Sequence, residues 1–323
     1  MRSQRWKSRI ICHPEVGCRN YYELHICVRL IWDNACVMRD THTMPADQFA
    51  NHAHADDSAQ IRVGIGGWNY APWRNNFYPV GLVQRRELEY ASRHLRTIEI
   101  NSTYYGAQKA ATYAKWAAET PPGFIFSLKA PRYISEGKRL ADARKGISGF
   151  VHGGLAEMGD RLGPILWQLP PSRPFDADDL AAFLEALPRE LNGHPLRHVL
   201  EVRHSSFIDE HYVTLARNHA VPTVFTDSPD YPSLADLTGD FTYARLMRSA
   251  DDIPTGYAPA DLDRWAGHAR SWAAGNDIGE LPHAAALQPA SQPRDVFVFF
   301  ISSAKQRNPA AAMALQARID SVG

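Results

Sequence analysis

Eight short apolar runs recur between residues 61 and 301, and stretches with helical spacing separate them. The runs are rich in Val, Ile, Phe and Tyr, and several are almost continuously apolar, which is typical of parallel strands covered on both faces. They span residues 61–65, 97–100, 124–128, 164–169, 198–202, 222–226, 241–246 and 295–301. Strand and helix alternating eight times predict an α/β fold, a (β/α)8 TIM barrel.

The helical stretches carry recognisable ends. Apolar spacing predicts helices over 85–95, 110–119, 176–187, 209–219 and 261–274. Acidic residues open several of them, and prolines end others. A last helix is expected to start at Asn308-Pro309, with Asn308 as its N-cap. Residues 61–323 number 263. This is close to the roughly 250 residues usual for the fold, so we predict one barrel domain there.

Residues 1–60 read differently from the barrel. The chain's four cysteines all precede Met44, and no two of them have the short spacing of a zinc site. The apolar patch before Met44 is interrupted by Arg29 and does not resemble a signal peptide. We therefore expect an N-terminal extension that is disordered or outside the functional unit, with free thiols and with translation starting at Met44.

Charge and hydropathy exclude some classes of protein. Lys plus Arg and Asp plus Glu both number 35, so the chain has no bulk charge typical of binding to duplex nucleic acid or to an anionic membrane. No apolar run approaches the roughly 18 residues that a membrane span needs. These features favour a soluble, cytoplasmic protein without a membrane partner.

Polar residues interrupt or end the apolar runs. Side chains alternate faces along a strand, so Glu99 and Asn101 share one face, as do Glu201 and Arg203. That face should point into the barrel. Other polar residues lie in or end the strands predicted third, fourth, sixth and seventh: Lys129, Gln168, Asp227 and Arg245. Barrel enzymes place their chemistry at these carboxyl ends of the strands.

Three acids and three bases should therefore meet at one end of the barrel. We assign catalytic acid/base roles to Glu99, Glu201 and Asp227, because carboxyls in different surroundings can hold different pKa values. We expect cationic side chains to bind an anionic group and amides to orient it: Lys129, Arg203, Arg245, Asn101 and Gln168. The alternative is an ion network that satisfies itself and closes the barrel top.

Other candidate ligand contacts come from the loops. Trp68, Tyr70 and Tyr104 follow the first two strands and could stack on a sugar or base, or else pack the first loops. After the eighth strand, Ser303, Lys305 and Arg307 lead into a helix N-terminus, where barrel enzymes often bind phosphate. The alternative for these three is a set of solvated loop side chains.

Metal chemistry has weaker support. His152, His204 and His211 are the candidate ligands or acid/base groups, but the chain has no H-x-x-x-H or H-E-x-x-H spacing. We predict no metal site from these residues, and the cofactor stays open.

Several motifs, in order, resemble the YecE-like family, domain of unknown function 72. The motifs are Gly64-x-Gly66-Gly67-Trp68, Trp73 with Phe77-Tyr78-Pro79, Glu99-x-Asn101-x-Thr103-Tyr104-Tyr105, Leu162-Gly163-Pro164 through Gln168-Leu169-Pro170-Pro171, Glu201-x-Arg203, Asp227 and Tyr243-x-Arg245. The resemblance implies a bacterial TIM-type barrel with these polar positions clustered at one end, and it implies no particular reaction. Two stretches depart from it: Met247-Arg248 replaces a His-Gly pair common in members, and Ile301-Ser302-Ser303 replaces an Asn pair.

We therefore predict an enzyme that uses carboxylate acid/base chemistry on a polar, anionic small molecule, either phosphorylated or sugar-like. One alternative is a barrel that processes or binds nucleic acid, which rests on fold analogy alone. The other is a metabolite-binding protein without catalysis.

Overall fold

A computed structural model describes residues 59–321, and eight parallel strands form its central sheet. We number them β1 to β8: Ile61–Gly66, Thr97–Ile100, Ile125–Lys129, Leu162–Gln168, His198–Glu201, Phe225–Asp227, Thr242–Leu246 and Val296–Phe300. A two-residue hairpin, Glu190–Leu191 with His194–Pro195, precedes β5. The expectations for residues 1–58, including the cysteines and the Met44 start, lie outside the described residues.

The sheet closes on itself. β1 pairs with both β2 and β8, so the first and last strands are neighbours. The seam between β5 and β6 is closed by a bridge from Leu200 to Thr223, where the Leu200 N–H donates to Pro222 O at 2.9 Å. The Val224 N–H returns a bond to Leu200 O at 2.9 Å. The predicted TIM barrel is confirmed.

Helices cover the outside of the barrel. They are α1 Glu87–His94, α2 Ala110–Ala118, α3 Arg132–Ser135, α4 Arg144–Val151, α5 Ala177–Ala186, α6 Glu210–Asn218, α7 Pro259–Ala273 and α8 Asn308–Asp320. Asp176 and Asp209 cap α5 and α6 by accepting backbone N–H bonds. Among the described residues, no helix is long and apolar enough to cross a membrane.

Two features of the structure differ from the sequence predictions. Residues 228–241, between β6 and β7, contain no helix. In that segment the buried Asp236 accepts backbone N–H bonds from Ala284 and Ala285, which ties it to a second loop. The predicted N-cap role of Asn308 is also wrong, because its buried side chain accepts a 2.6 Å bond from Ser249 Oγ inside the first turn of α8.

The strand faces divide as the alternation predicts. Leu200 and Val202 belong to the apolar layer between strands and helices. The barrel interior holds a separate apolar cluster: Leu166, Val199, Val224, Phe241, Tyr243, Phe297, Phe299 and Ile301. Beyond this apolar cluster, towards the carboxyl ends of the strands, the inward-facing side chains become polar. The site is therefore built on the carboxyl ends of rigid strands, which we call the barrel mouth.

Candidate functional site

Arg245 on β7 lies between two buried carboxylates at the barrel mouth. Its Nε and Nη2 donate to the two carboxylate oxygens of Glu99, each at 3.1 Å. Its Nη1 donates to Glu201 Oε2 at 2.7 Å. Both glutamates have no exposed surface, and Arg245 is 2% exposed. The guanidinium is therefore a desolvated clamp between β2 and β5.

Two further side chains support Glu99 from below. The Tyr243 hydroxyl donates to Glu99 Oε2 at 2.7 Å, and Ser127 Oγ lies 2.8 Å from that hydroxyl. Both residues are fully buried. They are absent from the predicted site, although a signal existed: each lies two residues before a predicted site residue, Arg245 or Lys129, and so shares its face.

Arg203 completes the pairing of Glu201. Its Nε and Nη2 both lie 2.8 Å from Glu201 Oε1, and its guanidinium carbon lies 4.1 Å from the centroid of the Tyr231 ring. Burial by itself raises the pKa of Glu201, but the charges of Arg245 and Arg203 outweigh that effect and hold the pKa below its usual value. We call Glu99, Glu201, Arg203 and Arg245 the mouth network, and its formal charges cancel.

Lys129, at the end of β3, stands outside this pairing. Burial, and then the neighbouring charge of Arg245, lower the pKa of its amine to about 8, although Glu201 and Glu99 act in the opposite direction. Among residues 59–321, no carboxylate oxygen lies within 4.0 Å of Lys129 Nζ. The Nζ instead lies 3.9 Å from the centroid of the Tyr104 ring. Lys129 is thus a buried amine without a counterion in the described part of the chain.

Tyr104 contacts this amine, and the two predicted amides lie on neighbouring strands or just after them. Gln168 is buried on β4, next to β3, and its Oε1 has no hydrogen-bond partner within the described residues. Asn101 Nδ2 donates to the backbone oxygen of Glu99 at 3.4 Å. The Tyr104 hydroxyl donates to Glu136 Oε1 at 2.7 Å, which fixes the ring against Lys129.

Asp227 does not join the mouth network. Thr226 is level with Arg245 in the β6–β7 register, whereas Asp227 is level with Leu246, which packs in the outer apolar layer. Its carboxylate lies 2.6 Å from Nε of the half-exposed Arg248. The pair lines a separate cleft of about 340 Å³ with Tyr257 and Trp265. The expected grouping of Asp227 with Glu99 and Glu201 is therefore corrected.

The first-loop aromatics pack rather than face the mouth. The Trp68 ring meets the Trp116 ring edge-on, with 5.3 Å between the ring centroids. Its centroid lies 6.1 Å from that of Phe126, which faces the outer apolar layer. Tyr70 packs edge-on against Trp73 at 5.2 Å. Their expected roles as substrate-stacking walls have no support in these contacts, unlike that of Tyr104.

The segment after β8 does not gather its polar side chains around one point. Ser303 Oγ donates to Met247 O, and Arg307 Nε donates to Asp251 O at 3.0 Å. Lys305 Nζ lies 4.5 Å from the Tyr70 ring centroid, and burial lowers its pKa. Each group is thus engaged by a different part of the protein, and no shared phosphate cradle forms from the three side chains.

The geometry agrees with the family comparison. Residues 62–322 match the family described as "Protein of unknown function DUF72". The chain belongs to this family. The resemblance to YecE-like proteins is thereby confirmed, and the shared membership locates the mouth network within the DUF72 domain.

Relatives of this DUF72 chain agree in fold. It is 26% identical over 122 residues to UPF0759 protein YunF of Bacillus subtilis, a match that covers 34% of this chain and 40% of that protein. A DUF72 crystal structure from Thermotoga maritima superposes with a TM-score of 0.60 at 22% identity, covering 81% of this chain and 98% of the other. One from Enterococcus faecalis gives 0.59 at 14% identity, covering 81% and 96%. At these identities the structures show a shared fold.

The chemistry that this DUF72 mouth can offer follows from its unpaired groups. Residues 59–321 contain no group of three or more His, Cys, Asp or Glu side chains placed to hold a metal ion. In the described part of the mouth, two buried groups have no partner: the amine of Lys129 and the amide oxygen of Gln168. The first can carry or release a proton near neutral pH, and the second accepts a hydrogen bond.

Proposed function

We propose that this protein is an enzyme that binds the anionic group of a small polar molecule at the barrel mouth and uses the Lys129 amine as its acid/base group. The observation that carries the proposal is the isolation of Lys129: a buried amine with a pKa of about 8 and no carboxylate within 4.0 Å in the described residues. A group with a pKa near the working pH is the most effective proton carrier.

Charge accounts for the ligand class. The mouth network is formally neutral, so a protonated Lys129 leaves one excess positive charge in a buried site. An unpaired buried ion costs several kcal/mol. A phosphate or carboxylate group of a ligand would supply the missing counterion, and Gln168 Oε1 could accept a hydrogen bond from a ligand hydroxyl.

In this proposal Glu99 and Glu201 are anchors rather than proton carriers. Glu99 accepts three hydrogen bonds, two from Arg245 and one from Tyr243. Glu201 accepts bonds from Arg245 and Arg203, and its lowered pKa keeps it ionised. The carboxylates thereby fix the guanidinium groups that lie near Lys129.

Ligand-dependent melting temperature tests the binding step. We expect inorganic phosphate, citrate or a sugar phosphate to raise the melting temperature of the full chain, because a ligand that binds only the folded state stabilises it. The rise should persist in Lys305→Met, which removes a half-buried cation elsewhere, and disappear in Lys129→Met. An equal rise in Lys129→Met would contradict the proposal.

Turnover separates an enzyme from a binding protein. Each compound that stabilises the wild type is incubated with it, and the mixture is followed by NMR. We expect at least one to be converted, with a rate that rises as Lys129 deprotonates near pH 8. Binding without conversion would refute the enzymatic part and leave a metabolite-binding protein.

A further inference from the structure

We infer that the molecule bound at the barrel mouth is an anionic aldehyde or ketone, and that Lys129 attacks its carbonyl carbon to form an imine. The inference rests on the proposed function, since it identifies the substrate class of the same site. It assigns Lys129 a covalent role in addition to proton transfer.

The surroundings of the Lys129 amine favour a nucleophile. An ion-paired lysine is held as ammonium, which has no lone pair for attack. No carboxylate of the described residues comes within 4.0 Å of Lys129 Nζ, and the three polar nitrogens of Arg245 are already bonded to Glu99 and Glu201. The aromatic face of Tyr104 attracts the ammonium form, but it forms no ion pair with the amine. Desolvated lysines near other cations commonly form Schiff bases.

The chemical step is balanced. The Lys129 nitrogen forms a bond to the carbonyl carbon while the carbon–oxygen π bond breaks, and the oxygen takes a proton to give a carbinolamine. The remaining carbon–oxygen bond then breaks. The oxygen leaves as water with one proton from the amine and one from solvent, and the product is a protonated imine.

The site is suited to that cationic product. Glu99 and Glu201 offset part of the positive charge of Arg245 at Lys129, and the Tyr104 ring provides an aromatic face 3.9 Å from Nζ. Gln168 Oε1, buried and without a partner in the described residues, is an acceptor for the carbinolamine hydroxyl. Arg203, whose side chain is 14% exposed, attracts the anionic end of the substrate.

Reductive trapping tests the imine. The full chain is incubated near neutral pH with pyruvate, glyoxylate or dihydroxyacetone phosphate and sodium cyanoborohydride, and labelled lysines are mapped by peptide mass spectrometry. The neutral fraction of an amine changes tenfold per pKa unit, so we expect labelling at Lys129 to be at least about tenfold faster than at an exposed lysine such as Lys115. Lys129→Arg should abolish this fast adduct, and Lys305→Arg should leave it unchanged.

The outcomes separate the two proposals. If no probe labels Lys129 faster than Lys115, while phosphate or citrate still stabilises the protein through Lys129, imine formation is refuted and anion binding stands. If Lys129 is labelled but neither the anions nor the sugar phosphates stabilise the protein, the imine stands and the anionic substrate class is refuted. If both experiments fail, both proposals are refuted.

Discussion

Replacing Arg245 with methionine tests whether the mouth network is a buried clamp. The change keeps an unbranched side chain but removes three charge-assisted hydrogen bonds to Glu99 and Glu201. Breaking a buried pair by removing one partner costs about 3–5 kcal/mol, because it leaves an uncompensated buried charge. Here two carboxylates lose a partner, and only Glu201 keeps a second guanidinium, that of Arg203. We expect a loss at the upper end of that range.

The pH dependence identifies the cause of the loss. In the wild type, the lowered pKa of Glu201 contributes stability that is present above the unfolded carboxylate pKa of about 4.3 and is lost as pH falls through the folded pKa. In Arg245→Met, the charge that chiefly opposes the effect of burial is lost, so the pKa of Glu201 should rise. Protonation at lower pH then relieves the buried charge, so the deficit of the variant should be largest at neutral pH and shrink towards pH ~5.

The assay is urea unfolding at a series of pH values, with Arg248→Met as the matched control. That control removes the same side chain from an ion pair of 2.6 Å with Asp227, but Arg248 is 52% exposed. An exposed pair contributes about 0–1 kcal/mol. The clamp is refuted if Arg245→Met loses no more than Arg248→Met, or if its deficit is the same at every pH.

Three more predictions concern single residues. Between pH ~8 and ~10.4 the unfolded chain holds a proton on Lys129 that the folded chain has lost. The unfolding free energy of the wild type, measured by urea titration, should therefore rise with pH relative to that of Lys129→Met by up to roughly 3 kcal/mol. A difference that stays constant with pH would contradict the lowered pKa of Lys129. Trp68→Ala should lower the unfolding free energy by about 3 kcal/mol yet leave the ligand-induced rise in melting temperature unchanged, because the ring packs against Trp116 and Phe126. Loss of that rise would show that Trp68 contributes to ligand binding. Gly64→Ala should fail to give folded protein by circular dichroism, because the new Cβ would lie 1.9 Å from Thr97 O; a normal spectrum would refute that close approach of β1 and β2.

Strand alternation predicted the inward faces because it depends only on local geometry. Glu99, Glu201 and Arg203 lie where a two-residue period places them, and the same period contained the signal for Tyr243. Asp227 was misplaced for a related reason. Its strand, Phe225–Asp227, is only three residues long and holds polar side chains on both faces, so the sequence does not show which face points inward. The register with β7 decides that Thr226 faces the site instead.

The sequence could not predict which side chains form ion pairs within the mouth. Which carboxylates Arg245 contacts depends on the relative height of β2, β5 and β7, which is set by barrel closure across residues far apart in the chain. Loop positions were less predictable still. Trp68 and Tyr70 lie near a strand end, as stacking residues often do, yet apolar surface on neighbouring elements takes up both rings.

The distribution of charge explains why we propose Lys129, rather than the carboxylates, as the acid/base group. A carboxyl group exchanges protons effectively near neutral pH only when its pKa is raised towards that pH. The guanidinium groups that stabilise buried Glu201 lower its pKa instead, so the same contacts that hold the barrel mouth together remove its acid/base capacity. The same guanidinium groups also form ion pairs with the carboxylates that would otherwise pair with Lys129. Clamping the two glutamates and freeing the lysine are therefore consequences of one arrangement, centred on Arg245.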